Sequence, residues 1–422
     1  MSINAVVGAQ WGDEGKGKIV DLLSKDVKVV ARFQGGANAG HTVYHNNEKL
    51  ILHQIPSGIL RDDCICVLGS GMVIDPIELV SEITELKDNG FTLKNKLCIS
   101  QHAHIVTPLH KFLDVHKEKL SKNPIGTTGK GIGPAYKDKY SRVGIRAIDL
   151  LYENIVQTKI DKRLDKISSR YKISKEDIIA INSDLKIFFN SIEIIKEYIV
   201  DTFEILHSNI DKNESILIEG AQGALLDIDH GTFPYVTSSN PSIGGIANGL
   251  GIPLTLLNNA IGIFKAYTTR VGEGPFPTEL INRIGDKLRE IGKEYGATTG
   301  RPRRCGWVDA VAARYTSKLN GLNRLVITKL DILSGLEKIK VCTEYEYRGT
   351  KTKLMSKVIN DLSEVKPIYK EFSGWDDDIS SVTSYQDLPD NAKRYLDFLV
   401  LEIGVPIKII SVGPHREQVI QL

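Results

Sequence analysis

Runs of β-branched and aliphatic residues recur at 3–7, 29–33, 65–68, 216–218, 261–266, 325–330 and 407–412, with little polar alternation inside them. Strands buried on both faces read this way, so the pattern predicts a largely parallel sheet with helices on either side. Three of the runs lead directly into Gly8, Gly69 or Gly413 and a fourth reaches Gly220 after Glu219, the edge at which such a sheet carries its ligand loops. The expected fold class is α/β, with a large, mostly parallel central sheet and helical insertions.

Between 149 and 213 the texture changes to charged residues interleaved with aliphatic ones, poor in glycine, with Ile192, Ile195, Ile199, Phe203 and Leu206 at helical spacing. This segment reads as a helical insertion. The stretch 392–402 reads as a helix ahead of Pro406 and the last strand, and the polar segment 345–389 is assigned no chemistry. No repeat or linker divides the chain, so a single interrupted domain over 1–422 is expected.

Composition narrows the function classes. The 54 basic and 52 acidic side chains leave a net charge of +2, which argues against a polyanion binder and confines any basic site to one locality. Five cysteines, with no CxxC pair, make neither a disulfide framework nor a zinc site. No apolar run reaches the ~18 residues of a membrane span. A soluble, cytoplasmic protein that binds neither membrane nor nucleic acid is expected.

The first strand opens into Gly8-Ala9-Gln10-Trp11-Gly12-Asp13-Glu14-Gly15-Lys16-Gly17-Lys18 and then the helical Ile19-Val20-Asp21-Leu22-Leu23. Glycines there let backbone N–H groups face an anion while the helix adds its positive end, and Gly12 to Lys18 satisfies GxxxxGK. Ile19 stands where that motif usually supplies a metal-binding hydroxyl, so Asp13 becomes the candidate to hold a cation or accept a proton, with an ordinary turn aspartate as the alternative. A second small-residue loop, 34–43, carries His41, placed to act as an acid beside a developing negative charge. The other histidines are read as structural.

Thr328-Lys329-Leu330-Asp331 is the TKxD form of a guanine-reading motif. Its carboxylate can accept both the N1–H and N2 protons of guanine, which adenine does not offer, so the expected nucleotide site is a P-loop-like GTP site. Ser411-Val412-Gly413 can close the other side of the purine. The loop 296–307 gathers Arg301, Arg303 and Arg304 with Thr298 and Thr299, suiting a small dianionic or dicarboxylate ligand, with a solvated basic loop as the alternative. Loop 125–134 resembles a second anion cradle, while 219–223 and 235–240 add amide and hydroxyl donors.

Taken together, the blocks 11–18, 35–42, 126–136, 219–223, 235–242, 296–307, 328–331 and 411–416 resemble the adenylosuccinate synthetase family, GTP-dependent ligases that join aspartate to IMP. The segments 149–213 and 345–389 match it only in length and texture. The resemblance implies catalytic roles for Asp13, His41, Lys16 and Gln222. It implies GTP contacts from Gly12, Asp13, Glu14, Gly15, Lys16, Gly17, Lys18, Gly40, His41, Thr42, Arg303, Lys329, Leu330, Asp331, Ser411, Val412 and Gly413. IMP would meet Asp13, Asn38, Ala39, Thr128, Arg142, Gln222, Thr237 and Arg301. Aspartate would meet Ala297, Thr298, Thr299, Gly300, Arg301 and Arg303. Mg2+ would sit on Asp13 and the Gly40 carbonyl, and Arg142 would cross a homodimer interface into the partner's site. In the implied mechanism Asp13 takes the N1 proton of IMP, O6 attacks the γ-phosphate, and the aspartate amine displaces phosphate from 6-phosphoryl-IMP. Pro302 departs from the family's usual arginine. Two other readings of the residues remain at this point: another GTP-dependent phosphate-loop ligase or kinase, and a non-catalytic GTP switch.

Overall fold

The computed structural model describes residues 2–45, 48–122, 124–171, 173–296 and 300–422. The apolar runs form a ten-stranded sheet: β1 (Ile3–Gly8), β2 (Val29–Arg32), β3 (Ile65–Leu68), β4 (Leu97–Ser100), β5 (Ile199–Val200), β6 (Ile216–Glu219), β7 (Asn259–Lys265), β8 (Arg324–Thr328), β9 (Ile407–Ser411) and β10 (Val419–Gln421). Their order is β10-β9-β8-β7-β1-β6-β2-β3-β4-β5, and every pairing is parallel except β9 with β10. Successive strand residues point to opposite faces. Accordingly Ile3, Ala5 and Val7 enter one core cluster while Val6 enters the other, and Val29 and Ala31 are separated from Val30 in the same way. Burial on both faces is the reason the runs lack polar alternation.

The insertion is not helical throughout. Helices Glu153–Arg170, Lys175–Ile195 and Thr202–Asp211 are interrupted by Ile199–Val200, which adds to the sheet edge beside β4. Ile192, Ile195 and Leu206 are buried as the spacing predicts, but Ile199 lies in a strand and Phe203 is exposed, because two separate helices and the strand between them share that period. The segment 345–389 holds more structure than its polarity suggests: Lys338–Tyr347 pairs antiparallel with Thr350–Thr352 and Lys366–Ser373. Its inner face, with Tyr345, packs in one cluster with Trp11 and Phe276 and so supports the loop after β1.

Because β1, β2, β6, β7, β8 and β9 run parallel, their C-terminal ends share one edge. The loops that follow them are therefore neighbours in space although they span more than 400 positions of sequence. Close backbone approach tightens this edge: a Cβ on Gly249 would lie 2.1 Å from the Phe33 carbonyl oxygen, at the end of β2, whereas one on Gly244 meets no atom within 4 Å. Gly249→Ala is expected to destabilise by about 1–3 kcal/mol through forced backbone shifts. Gly244→Ala, in the same short helix, is expected to stay within about 1 kcal/mol of the wild type. Urea unfolding midpoints at unchanged slope check both, and equal midpoints would show that the Phe33 contact relaxes freely.

Candidate active site

The loop after β1 turns through Gly12, Asp13 and Gly15, all with positive φ (88°, 59° and 87°), into α1 (Lys16–Leu23). Gly8 must lack a side chain, since a Cβ there would lie 2.4 Å from Glu14 Oε2 and 2.5 Å from the Gln222 carbonyl oxygen. Glu14 is fully buried; its Oε1 accepts from the Gln10 and Gly12 N–H groups at 3.1 and 2.8 Å, and its Oε2 from the Lys16 ammonium at 2.6 Å. The loop is thus a formed anion cradle in which the chain's own carboxylate satisfies the Gln10, Gly12 and Lys16 donors. Lys18, the last residue of the GxxxxGK pattern, stands elsewhere. It donates to Ser411 Oγ, Gly413 O and Gln418 O at 2.7, 2.7 and 2.9 Å, and burial lowers its pKa to about 8. Lys16 faces the anion position and Lys18 ties the 411–418 loop to α1.

At the end of β8, Thr328 Oγ1 donates to the Glu14 carbonyl at 2.6 Å, joining the base-reading motif to the cradle. Lys329 is left-handed (φ 58°), which ends the strand two residues earlier than the apolar run predicts. The Leu330 side chain is buried in the core, so only its backbone is available to a ligand. Asp331 keeps Oδ1 buried without a hydrogen-bond partner, and burial pushes its carboxyl above the ordinary range. A buried acceptor left open beside a glycine-lined edge suits a donor edge of a ligand.

His41 is not on an open loop, as its glycine-rich surroundings suggest. It begins the strand His41–His45, is 5% exposed, and its Nδ1 contacts Glu219 Oε1 at the end of β6. Ser57 donates to the same carboxylate through N–H at 2.8 Å and Oγ at 3.0 Å. Burial opposes the ionisation of Glu219, yet the hydrogen bond from His41, the Arg32 charge and the Ser57 donors hold its carboxyl below the ordinary range. Burial lowers His41 in turn, against the pull of Glu219. The consistent state is an ionised Glu219 holding a neutral imidazole with its proton on Nδ1, which leaves Nε2 for a reacting group.

Asp13 Oδ2 lies 2.9 Å from Arg303 Nε, an ion pair without hydrogen-bond geometry, which brings the arginine loop to the tip of β1. Arg301 donates to the Gly126 and Thr127 carbonyls at 3.1 and 3.2 Å, joining the same loop to 125–134. Arg304 instead pairs with Glu279, so the three guanidiniums do not form one cluster. Gln222 is left-handed (φ 56°), and its side-chain oxygen and nitrogen are both buried without partners. Asn38 Oδ1 accepts from Gly36 N–H, and the Ala39 carbonyl contacts His53 Nδ1. Gly40, Thr42 and Thr237 are half-buried, Thr128, Gly300 and Arg142 exposed; Arg142 follows the helix Ile132–Tyr140 with φ 61° beside exposed Tyr140 and Val143. Ala297, Thr298 and Thr299 lie outside the described residues. An open cleft of about 430 Å³ runs between Tyr136, Tyr140, Ser238 and Asn240. All five cysteines are free and buried.

Sequence reasoning missed Glu219 as the partner of His41, and missed Lys265 and Glu294 beneath Arg303. A signal was present: β6 and β7 are apolar strands whose last residue is charged.

A parallel sheet with an anion cradle after its central strand, an open carboxylate at the end of β8 on one side of it and a histidine–carboxylate pair at the end of β6 on the other defines a nucleotide-dependent α/β enzyme. The profile of the adenylosuccinate synthetase family matches residues 5–420. Adenylosuccinate synthetases of Clostridium botulinum (strain Eklund 17B) and Thermodesulfovibrio yellowstonii are 47% and 48% identical to this chain, covering 100% of it and 99% of their own lengths. The structure of fully ligated adenylosuccinate synthetase from Plasmodium falciparum superposes with a TM-score of 0.91 at 42% identity, covering 100% of this chain and 99% of that one. A cyanophage S-2L succinoaminodeoxyadenylate synthetase bound to dGMP and dATP as an energy donor shares the fold alone, at 18% identity and a TM-score of 0.64. The chain belongs to the adenylosuccinate synthetase family, GTP-dependent ligases of purine biosynthesis that join aspartate to IMP. That membership sets aside the other ligase, kinase and switch readings.

Glu219→Gln replaces a carboxylate that fixes the Nδ1–H tautomer with an amide that can donate to Nδ1. It is expected to lower kcat by about 10²-fold with little change in KM for GTP. Steady-state kinetics check this, and an unchanged kcat would remove the tautomer argument.

Proposed function

We propose that the ligation proceeds in two steps on the groups gathered at this edge, with Mg2+ as the cation, a homodimer as the working form and the cytoplasm as the compartment. Gln222 is the observation that carries the IMP reading. Its buried, unpartnered amide nitrogen offers a donor suited to O6 of hypoxanthine, which leaves the N1 proton for Asp13. Asp13 takes the N1 proton as Arg303 turns from it toward anionic substrate, and O6 attacks the γ-phosphorus of GTP. Phosphates enter the cradle of Gly12, Gly15, Gly17 and Lys16 in place of the Glu14 carboxylate, and a phosphate at His41 Nε2 supplies the negative charge that favours a doubly protonated ring. The ester formed at C6 is a far better leaving group than the original oxo group. The aspartate amine then bonds to C6, the C6–O bond breaks with its electrons on phosphate, and adenylosuccinate, GDP and phosphate result.

Asn38, Ala39, Thr128, Thr237 and the partner's Arg142 would surround IMP, while Arg301 and Arg303 with 297–300 would receive the aspartate carboxylates. Asp331 would read guanine, flanked by Lys329 and by Ser411, Val412 and Gly413. Among the described residues no group of three or more His, Cys, Asp or Glu side chains forms a metal cage. That fits a cation carried mainly by phosphate oxygens, with Asp13 and the Gly40 carbonyl as its protein donors. When bound, the cation supplies charge that offsets phosphate repulsion. Among the described residues no helix is long and apolar enough to cross a membrane.

An assay with IMP, GTP and aspartate, omitting each in turn, is expected to give product only with all three; GTP hydrolysis indifferent to IMP would overturn the reading. Asp13→Ala and His41→Asn are each expected to lower kcat by about 10²–10⁴-fold while leaving GTP binding largely intact. Near-normal turnover would remove that residue from the mechanism. Mixing Arg142→Leu subunits with Asp13→Ala subunits is expected to restore activity, and absence of complementation would argue against shared sites.

A further inference from the structure

Beneath the base-reading turn lies a charge cluster whose central carboxylate, Glu294, has no part in the ligation chemistry described above. Glu294 is fully buried on the turn after the helix Arg283–Ile291. Its Oε1 accepts from the Lys265 ammonium at 2.9 Å, the Tyr267 hydroxyl at 2.5 Å and the Lys329 ammonium at 2.7 Å; its Oε2 accepts from Lys265 at 2.9 Å and from Arg303 Nη1 at 2.5 Å. The backbone fixes its place: Glu294 N–H donates to the Arg289 carbonyl and the Glu294 carbonyl accepts from Arg303 N–H, each at 2.8 Å. Burial opposes ionisation of Glu294, but the three cations hold its carboxyl far below the ordinary range.

Lys329 stands between two carboxylates. One is Glu294, reinforced by the Gly292 carbonyl, which accepts from Lys329 Nζ at 2.7 Å. The other is Asp331, two residues along, whose Oδ1 is buried with no partner. An ammonium on Asp331 would take the lone pairs that the N1–H and N2 protons of guanine require.

We propose that Glu294 is a specificity-determining positioning residue: by binding the Lys329 ammonium it keeps the Asp331 carboxylate open for the guanine edge. The inference rests on the GTP-site reading above. In Glu294→Gln the central charge is gone while Lys265 and Arg303 remain, so their repulsion drives Lys329 toward the Asp331 carboxylate, on which its charge already acts.

The test is a double-mutant cycle on the full chain, with Glu294→Gln, Asp331→Asn and their combination, reading KM and kcat separately. Asp331→Asn is assayed with xanthosine triphosphate, whose O2 acceptor and N1–H donor suit the amide. Glu294→Gln alone is expected to raise KM for GTP about tenfold while KM for IMP moves less than about twofold. In the Asp331→Asn background the same change is expected to move KM for xanthosine triphosphate less than about twofold, because the Asp331 carboxylate that Lys329 would capture is then absent. An equal rise in both backgrounds, or none in either, overturns the proposal. An Asp331→Asn chain that gains no use of xanthosine triphosphate overturns the base-reading role and the proposal with it; that gain without coupling overturns the proposal alone. Thermal unfolding verifies the fold. Should Glu294→Gln not fold, Glu294→Gln with Lys265→Met removes one charge of each sign and is put through the same cycle.

Discussion

Charges buried at the ends of central strands constrain the rest of this site. β2, β6 and β7 close on Arg32, Glu219 and Lys265, each with no exposed surface. An ion in that position costs several kcal/mol unless a partner reaches it. The partners come from distant segments: Glu294 for Lys265, His41 and Ser57 for Glu219, and the His53 carbonyl for Arg32. A loop that drifted would strand a charge, so these pairs hold loops from several parts of the chain in fixed register around the sheet edge.

The same bookkeeping explains where ligands belong. Buried polar atoms without protein partners cost about 1–3 kcal/mol each, and such atoms persist when something else satisfies them. The two ends of the Gln222 amide and the Asp331 oxygen are of this kind, and they flank a cradle whose own donors are satisfied by Glu14. The cradle therefore keeps its shape before substrate arrives, which is the condition for electrostatic stabilisation without reorganisation at the moment of reaction.

What was legible in the sequence follows from the range over which each signal acts. The strands were readable because burial on both faces leaves an uninterrupted apolar run, and the loop after β1 because its glycines, lysines and helix lie consecutively. The insertion was misread at Ile199, since the apolar residues of two helices and an intervening edge strand fell by chance on one period. His41 was singled out but given the wrong surroundings, because its partner Glu219 lies 178 positions away. Likewise GxxxxGK does not tell which lysine faces the anion. Contacts from the 411–418 loop send Lys18 elsewhere, and no local pattern encodes them.

The choice of nucleotide belongs to this last category. The cyanophage neighbour carries dATP as its energy donor on the same fold, so the sheet and its edge do not by themselves select a base. In the GTP site proposed above, selection lies in a few side chains at the end of β8, for which TKxD supplies only the chemical groups. A lysine two residues from an aspartate is as ready to neutralise it as to cover a base lying on it. Whether the aspartate stays available is decided by where the ammonium finds a better partner, here a buried carboxylate shared with Lys265 and Arg303. Recognition in this site is therefore a property of the charge network beneath the motif as much as of the motif.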